Sequence, residues 1–326
     1  YFLNIYNLFR IRAEGLKILN RRDLSIGNHE IHYAWVIAVI AGAIGFLTHS
    51  VRFAVGAMVP YLRDSSSGFG WSYGAISFAF SLQWFVSGTV SPFVGWLGDK
   101  YGARPILLIG TLIFVAGMLL TGVMEELWHF YLFFGVMLGI ATTIFAILPV
   151  ASVTLWFRKS LGVAIGVVWS LQGIGSILFI LLVGGAFDLL GMRLIFWLPG
   201  IVAGVLILLL IKPFYNSPAE AGLLPFGAPK NEQIQKPLRD EVSKIRARVF
   251  LQQAQRTFTF WNLIGIHYWG CMGHNIINVL IVAFAVDRGL SLGVAAGVLA
   301  FQQAVGVIAR GTAPLLAERL GCKIVW

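Results

Sequence analysis

Two arginines stand inside long apolar stretches of the sequence, and they have the clearest capacity for chemistry. Arg52 lies in His49-Ser-Val-Arg52-Phe-Ala-Val-Gly56, and Arg310 lies in Val307-Ile-Ala-Arg310-Gly. An arginine in the middle of a membrane costs at least roughly 2.5–3.5 kcal/mol on insertion scales, so its presence indicates a function. Because a guanidinium fork binds a carboxylate with two hydrogen bonds, both are candidate anion-binding residues.

Each arginine also has a simpler explanation. Arg52 follows Tyr33 by some 19 residues, so it can lie near the outer end of its helix and extend its charge toward water. Arg310 lies late in its segment and can anchor that end of the helix. Both explanations stay open at the level of sequence.

Uncharged polar residues inside apolar stretches form a second group of candidates. They either line a central cavity or bond a neighbouring helix, and the structural role is the more usual one; these residues are Gln83, Gln172 and Gln302. His49 and His274 titrate near neutral pH when exposed to water. A lone histidine in a membrane segment is more often a packing residue.

The stretch GWLGDKYGAR, residues 95–104, places three charges and several glycines at the end of an apolar run. Gly95 permits close helix approach, and Gly102 permits a tight turn. The Asp99 carboxylate suits a neighbouring helix N-terminus or a base across an interface. Lys100 and Arg104 are also explained by membrane topology alone.

The composition of the chain indicates a membrane protein. Of its 326 residues, 58% are hydrophobic and 12% charged, with a mean hydropathy of +0.82. Soluble domains average about 45–50% apolar and about 25% charged residues. The sequence contains no Walker A, HExxH or GxSxG motif and no Cys/His cluster, which disfavours an ATP-driven pump, a membrane enzyme and a metal site. We expect no cofactor.

Apolar runs of about 20 residues recur, the length needed to cross the hydrocarbon core of a bilayer. We predict eight membrane segments, at residues 33–62, 71–97, 105–123, 128–157, 161–187, 193–211, 257–286 and 290–316. Three of the 24 basic residues fall on one side, namely Arg63, Arg193 and Arg288, and one, Arg52, falls within a span. The others share the opposite side, so we expect the N-terminus and the linker after the sixth segment to be cytoplasmic. This charge distribution explains the net charge of +10 without nucleic acid.

A repeat links the two ends of the chain at an offset of 219 residues. It pairs Asp99 with Glu318, Lys100 with Arg319, Gly102 with Gly321, Arg104 with Lys323, Ser72 with Ser291 and Gln83 with Gln302. Parallel repeats joined by a cytoplasmic linker are a transporter architecture, with the substrate site between the halves. We therefore predict an N-terminal segment (1–32), a six-helix bundle (33–211), a linker (212–256) and a partial second bundle (257–326).

The motif Gly95-x-Leu-x-Asp99-Lys100-x-Gly102-x-Arg104 resembles the signature of the major facilitator superfamily. Phe69-Gly-Trp-Ser72, and Trp156-Phe-Arg-Lys159 followed by Gly162-x-x-x-Gly166, resemble its branch of monocarboxylate porters and oxalate/formate antiporters. The resemblance implies an all-α polytopic membrane protein with the major facilitator fold. Full members have twelve helices, so the eight segments are expected to be a six-helix bundle and helices seven and eight of a longer protein.

The resemblance also implies roles for particular residues. In this branch a basic residue of helix one, matched here by Arg52, faces the substrate path, and an arginine of helix eight, matched by Arg310, binds substrate. The signature motif and its copy at Glu318 and Arg319 would latch the cytoplasmic gate. Proton-coupled porters carry an aspartate one turn before the helix-eight arginine; here that position is Gly306. This departure puts proton coupling in doubt and leaves anion exchange open.

We therefore expect a secondary transporter, antiporter or symporter, that moves a small organic anion such as a mono- or dicarboxylate by alternating access. Its partners would be that anion, the lipid bilayer and a coupling ion or counter-anion. The alternative is a polytopic membrane protein that does not transport: a channel, receptor or membrane enzyme.

Overall fold

The structure of the chain is a computed structural model. It describes residues 23–26, 29–64, 69–229, 232, 234 and 241–321. Most of the predicted N-terminal segment and Lys323 of the repeat lie outside these residues. A short antiparallel hairpin, β1 (Asp23–Ile26) and β2 (His29–His32), precedes the first helix, and the sequence analysis did not predict it.

Nine helices account for nearly all the rest of the described chain. They are α1 (Tyr33–Arg63), α2 (Tyr73–Tyr101), α3 (Ala103–Thr121), α4 (Leu127–Trp156), α5 (Leu161–Ala186), α6 (Leu189–Ile211), α7 (Glu241–Gln255), α8 (Phe258–Asp287) and α9 (Leu292–Leu320). All eight predicted segments are present as helices, with ends shifted by a few residues. The prediction of a helical, polytopic architecture is thus confirmed.

Seven of these helices are long and apolar enough to cross a membrane, namely all except α2 and α7. The second predicted segment, which forms α2, is therefore less apolar than the other seven predicted segments. Its helix, α2, has 29 residues and measures roughly 44 Å, which exceeds the hydrocarbon thickness of about 30 Å. Serine, threonine, glycine and glutamine residues lower its hydropathy.

Two helices contain local departures from α geometry. Helices α5 and α6 follow each other without a loop, and Gly191, near the start of α6, departs from helical geometry with φ 65° and ψ 175°. Helix α4 contains a π-helical segment, Tyr131–Met137. Such segments hold an extra residue in one turn and often occur at functional sites.

The sequence repeat is visible in the geometry of α2 and α9. Both helices have 29 residues, and Ser72 and Ser291 cap their N-termini with side-chain oxygens. Both end at a glycine with positive φ, 87° at Gly102 and 88° at Gly321. Because an L side chain rarely adopts this backbone conformation, glycine is the residue that lets the helix end there. The tight turn predicted at Gly102 is confirmed.

Helix α1 lies at the centre of the packing. It contacts α5 along its length, α4 on another side and α8 near its end. At the α1–α5 contact a methyl group on Gly175 would lie 2.2 Å from the carbonyl oxygen of Phe46. At the α1–α8 contact a methyl group on Gly56 would lie 2.3 Å from the carbonyl oxygen of Asn278. These glycines allow the backbones to approach closely.

We call the end of the bundle where α2 ends and α3 begins the basic end. The first part of the predicted linker folds onto this end. Phe214 is fully buried there, and the indole of Trp156 donates a hydrogen bond to the carbonyl of Tyr215. Arg158 forms a bidentate ion pair with Glu232 at 2.6 and 2.7 Å. The linker therefore begins as packed structure and continues to the separate helix α7.

Candidate functional site

Arg52 lies inside the helix bundle and does not face the surrounding lipid. Its side chain is 6% exposed. The Nε atom donates a hydrogen bond to Gln83 of α2 at 3.2 Å, and Nη2 donates to Ser87 of α2 at 2.6 Å and to Thr142 of α4 at 2.8 Å. All three acceptors are neutral, so these hydrogen bonds leave the charge of the guanidinium uncompensated.

The groups around Arg52 are themselves fixed in place. Gln83 donates to the carbonyl of Phe134 at 3.3 Å, and Ser87 donates to the carbonyl of Gly139 at 3.3 Å. The ring of Trp84 covers one face of the guanidinium, with its centroid 4.3 Å from Cζ, and adds a cation–π attraction. The three helices α1, α2 and α4 therefore hold the guanidinium in one orientation.

A narrow cleft separates this group from α8. The residues that line it are Arg52, Phe80, Trp84, Asn275, Asn278 and Val279. The free space is about 10 Å³, which is room for roughly one water molecule. In this conformation the two sides of the cleft are therefore too close together for an organic anion to lie between them.

Arg310 does not line this cleft. Its side chain is half-buried in α9 and lies against α5, where a methyl group on Gly173 would meet Nη1 at 3.0 Å. Nη2 donates a long hydrogen bond of 3.5 Å to Gln303, whose Nε2 donates to the Oδ1 atom of Asn278 at 3.0 Å. Two amide side chains therefore connect Arg310 to the cleft that Arg52 borders.

Several buried polar atoms along the helix interfaces have no hydrogen-bond partner among the described residues. They include His49 Nδ1, Gln172 Nε2, Asn278 Nδ2 and Gln302 Oε1. Gln172 packs over Gly45 of α1, and Gln302 contacts His274 at 3.3 Å. Buried polar atoms normally have partners, so such atoms indicate a site that a ligand or water completes.

Most of the charged residues of GWLGDKYGAR and of its copy lie at the surface. Asp99, Lys100 and Arg319 are exposed, and Lys100 lies near the rings of Trp96 and Tyr101. No described atom lies within 4 Å of a methyl group built on Gly95. The close helix approach expected at that glycine is therefore not made by the described residues.

Arg104 has a defined structural contact at the basic end. Its Nε atom donates to the carbonyl of Phe214, and Nη2 donates to the carbonyl of Lys212 at 3.1 Å. The guanidinium also stacks on Tyr215, 4.4 Å from the ring centroid. Cations commonly bind the last carbonyls of a helix, so Arg104 caps α6 and fixes the start of the linker.

Glu318 bridges α9 and α5 at the same end. Its Oε1 atom accepts a hydrogen bond from the backbone N–H of Gly162 at 2.9 Å. Gly162 lies in the first turn of α5, where the helix dipole favours a negative charge. This is the geometry that the sequence analysis expected of a carboxylate in the motif, found here in the second copy.

The opposite end of the bundle carries a second contact, which joins α1 and α8. Arg63 at the end of α1 lies 3.1 Å from Asp287 at the end of α8. The hydroxyl of Tyr73 in α2 also donates to Asp287, and Arg63 stacks on the ring of Tyr73. Both the basic end and the opposite end are therefore bridged in this conformation.

The sequence analysis singled out Gln83 but missed the other two partners of Arg52, Ser87 and Thr142, and the amides that reach Arg310. Asn278 and Gln303 are polar residues inside apolar segments, the same signal that identified Gln302, and applying it to them would have found both. Ser87 and Thr142 carry no such signal, because serine and threonine in membrane helices usually bond to their own backbone.

Comparisons with known proteins bear on these observations. The family model described as Major Facilitator Superfamily matches residues 41–326. The chain is 25% identical to the oxalate:formate antiporter of Oxalobacter formigenes over 295 residues, which cover 90% of this chain and 62% of that protein.

Two other relatives are named for the transport of different molecules. Human monocarboxylate transporter 11 is 24% identical over 79% of this chain and 50% of its own length. The fujikurins efflux protein of Gibberella fujikuroi is 26% identical over 45% of this chain and 31% of its own. The chain thus spans less than two thirds of each of these three relatives.

Proposed function

Since this chain belongs to the major facilitator superfamily of transporters, we propose that it is a secondary active transporter, or part of one, for a small organic anion such as a mono- or dicarboxylate. The observation that carries the proposal is the buried guanidinium of Arg52, held by three neutral side chains beside a closed cleft. A buried charge without a counter-charge is unfavourable, and a bound anion supplies that counter-charge.

The mechanism we propose is alternating access around this cleft. In the proposed orientation the basic end, the N-terminus and the linker are cytoplasmic. The contact of Glu318 with Gly162 would then close the cytoplasmic side, and the contact of Arg63 with Asp287 would close the outer side. Opening one contact while the other holds would expose the cleft to one side of the membrane at a time.

Relatives named for oxalate, formate and monocarboxylate transport support the choice of a carboxylate. The force would come from an exchanged anion or a coupled ion. A methyl group on Gly306 would lie 3.6 Å from Nη2 of Arg310, and glycine provides no carboxyl group for proton coupling at that position. Anion exchange is therefore the form of coupling that we favour.

The test is uptake of a panel of radiolabelled monocarboxylates and dicarboxylates by the complete gene product in proteoliposomes. We expect uptake of at least one carboxylate by wild type and its loss in Arg52→Gln. Arg310→Gln should raise KM. Arg246→Gln, an exposed arginine of α7, is the matched control and should transport as wild type does.

Two results would overturn this proposal. Wild-type protein that takes up none of the carboxylates would remove the substrate class. Unchanged anion uptake in both Arg52→Gln and Arg310→Gln would remove the proposed roles of the two arginines.

A further inference from the structure

We propose that Asn278 binds the substrate, donating a hydrogen bond from Nδ2 to the carboxylate that Arg52 holds, and that Gln303 and Arg310 set the direction of its amide. This inference rests on the proposed function, because it needs an anion in the cleft. It adds a substrate contact on α8, opposite the contact on α1.

The direction of the two amides follows from the chemistry of Arg310. A guanidinium only donates hydrogen bonds, so Gln303 must turn its Oε1 atom toward it. The amide nitrogen of Gln303 is then the atom that faces Asn278, and it donates to Oδ1 at 3.0 Å. Asn278 is therefore left with its Nδ2 atom as the free end of its side chain.

The free end of Asn278 is buried beside the cleft. The residue is 3% exposed, and Nδ2 has no hydrogen-bond partner among the described residues. A buried amide N–H without a partner is unfavourable, and an acceptor in the cleft removes that penalty. Asn275, the other amide that lines the cleft, differs because its Nδ2 already donates to the carbonyl of Cys271 at 2.8 Å.

Arg52 presents the complementary donor on the other side of the cleft. Among the described residues, the hydrogen bonds of Arg52 use Nε and Nη2 and leave Nη1 available. The cleft is thus bordered by a fixed cation on α1 and an oriented amide donor on α8. A carboxylate has two oxygens that accept hydrogen bonds, one for each donor, whereas a cationic substrate would be repelled by the like charge of Arg52.

The same geometry links binding to closure of the cleft. Asn278 lies where α8 meets α1, since its carbonyl oxygen would be 2.3 Å from a methyl group on Gly56. A carboxylate held by both Arg52 and Asn278 would pull the two helices together. A substrate with no negative group would leave the charge of Arg52 uncompensated and would bind more weakly in the cleft.

The test is a series at one position, with radiolabelled oxalate and lactate as substrates for the complete gene product in proteoliposomes. Asn278→Ser keeps a short donor and should raise KM only a few-fold. Asn278→Ala removes the donor and should raise KM by about 10-fold or more, with the maximal rate largely kept. Asn278→Asp has nearly the same shape but turns an anion toward Arg52, and it should abolish measurable uptake.

The expected order of the KM values distinguishes a substrate contact of Asn278 from a packing role. If Asn278 only packed the interface, Ser and Ala, which are close in size, would raise KM equally, and the loss of uptake in Asp would follow a loss of thermal stability, because a buried carboxylate is unfavourable in itself. Asn262→Asp is the matched control, because Asn262 is exposed in the first turns of α8. Its uptake should equal that of wild type.

Gln303→Glu tests the orientation step separately. A glutamate still accepts from Arg310 but cannot donate to Asn278, so the Asn278 amide should turn and direct its oxygen into the cleft. We expect a rise in KM of about 10-fold or more with an unfolding temperature close to that of wild type. An unchanged KM in this variant would overturn the orienting role of Gln303.

The outcomes for the two proposals are distinct. Wild-type uptake of either substrate together with near-normal KM in Asn278→Asp would overturn this inference alone. Wild-type protein that transports neither substrate would overturn the proposed function, and this inference with it.

Discussion

At the scale of single residues, the arrangement around Arg52 is preorganised, and Thr142 is the acceptor most easily removed without changing shape. Its hydroxyl accepts from Arg52 at 2.8 Å and donates to the carbonyl of Leu138 at 2.7 Å. Thr142→Val leaves a buried guanidinium N–H without this acceptor. We expect a loss of stability of about 1–3 kcal/mol, read from thermal unfolding in detergent, and a several-fold rise in KM for the transported carboxylate.

Thr111→Val is the control for this prediction. Thr111 is equally buried in α3 and also bonds one turn back, to Leu107 at 2.8 Å, but among the described residues it accepts no hydrogen bond from an arginine. Its replacement should have little effect on KM. Equal effects of the two valine variants on KM would show that Thr142 does not orient Arg52.

The residues of the site were predictable to different degrees. Arg52 and Arg310 were found because a charge in an apolar segment is costly whatever its neighbours are. The sequence could not show whether Arg310 borders the cleft itself. In the structure, two amide side chains lie between its guanidinium and the cleft. Which uncharged residues meet Arg52 depends on how α1, α2 and α4 are rotated, and hydropathy contains no information about rotation.

At the scale of elements, the contact between α1 and α5 depends on a glycine. Gly175→Ala would place a methyl group 2.2 Å from the carbonyl oxygen of Phe46, a backbone atom that cannot turn aside. We expect the helices to separate locally and the stability to fall by about 1–3 kcal/mol, measured by thermal unfolding of the purified protein.

The matched variant is Gly88→Ala in α2. No described atom lies within 4 Å of a methyl group at this glycine, so the substitution should be neutral or slightly stabilising through helix propensity. If Gly88→Ala destabilised the protein as much as Gly175→Ala does, close approach would not be the cause.

The helices themselves were largely predictable, because each apolar run of sufficient length became a helix within a few residues of its expected ends. Helix α7 was missed since its apolar residues, among them Ile245 and Phe250, are interspersed with charges in a polar stretch. The π-helical segment of α4 leaves no mark in the hydropathy. It packs against α2 and α3, and the hydropathy of one segment contains no information about contacts with other helices.

At the scale of the whole molecule, the contacts at the two ends should have opposite effects on access to the cleft. Asp287→Asn removes the charge that pairs with Arg63. Surface pairs contribute up to about 1 kcal/mol, so we expect a cysteine at Val279 to react about 2- to 5-fold faster with an impermeant thiol reagent added outside. Cys271→Ser and Cys322→Ser would provide the background, and Glu125→Gln, an exposed acid at the same end, the control.

Glu318→Gln should act in the other direction. It removes the carboxylate from the first turn of α5, an interaction of about 0.3–1 kcal/mol, and favours opening at the basic end. The cysteine at Val279 should then react about 2- to 5-fold more slowly with reagent added outside. Faster labelling in both variants would contradict the assignment of the two contacts to opposite gates.

The π-helical segment Tyr131–Met137 has a consequence for how the chain tolerates length changes. Gln83 bonds the carbonyl of Phe134 within it, and Ser87 bonds the carbonyl of Gly139 just after it. Deletion of one residue here would restore an ordinary α-helix and would rotate the part of α4 before the deletion by roughly 100° relative to the part after it. Deletion scanning through α4 should therefore find that the extra residue is required for the support of Arg52, although the described hydrogen bonds of the guanidinium go to side chains outside the segment.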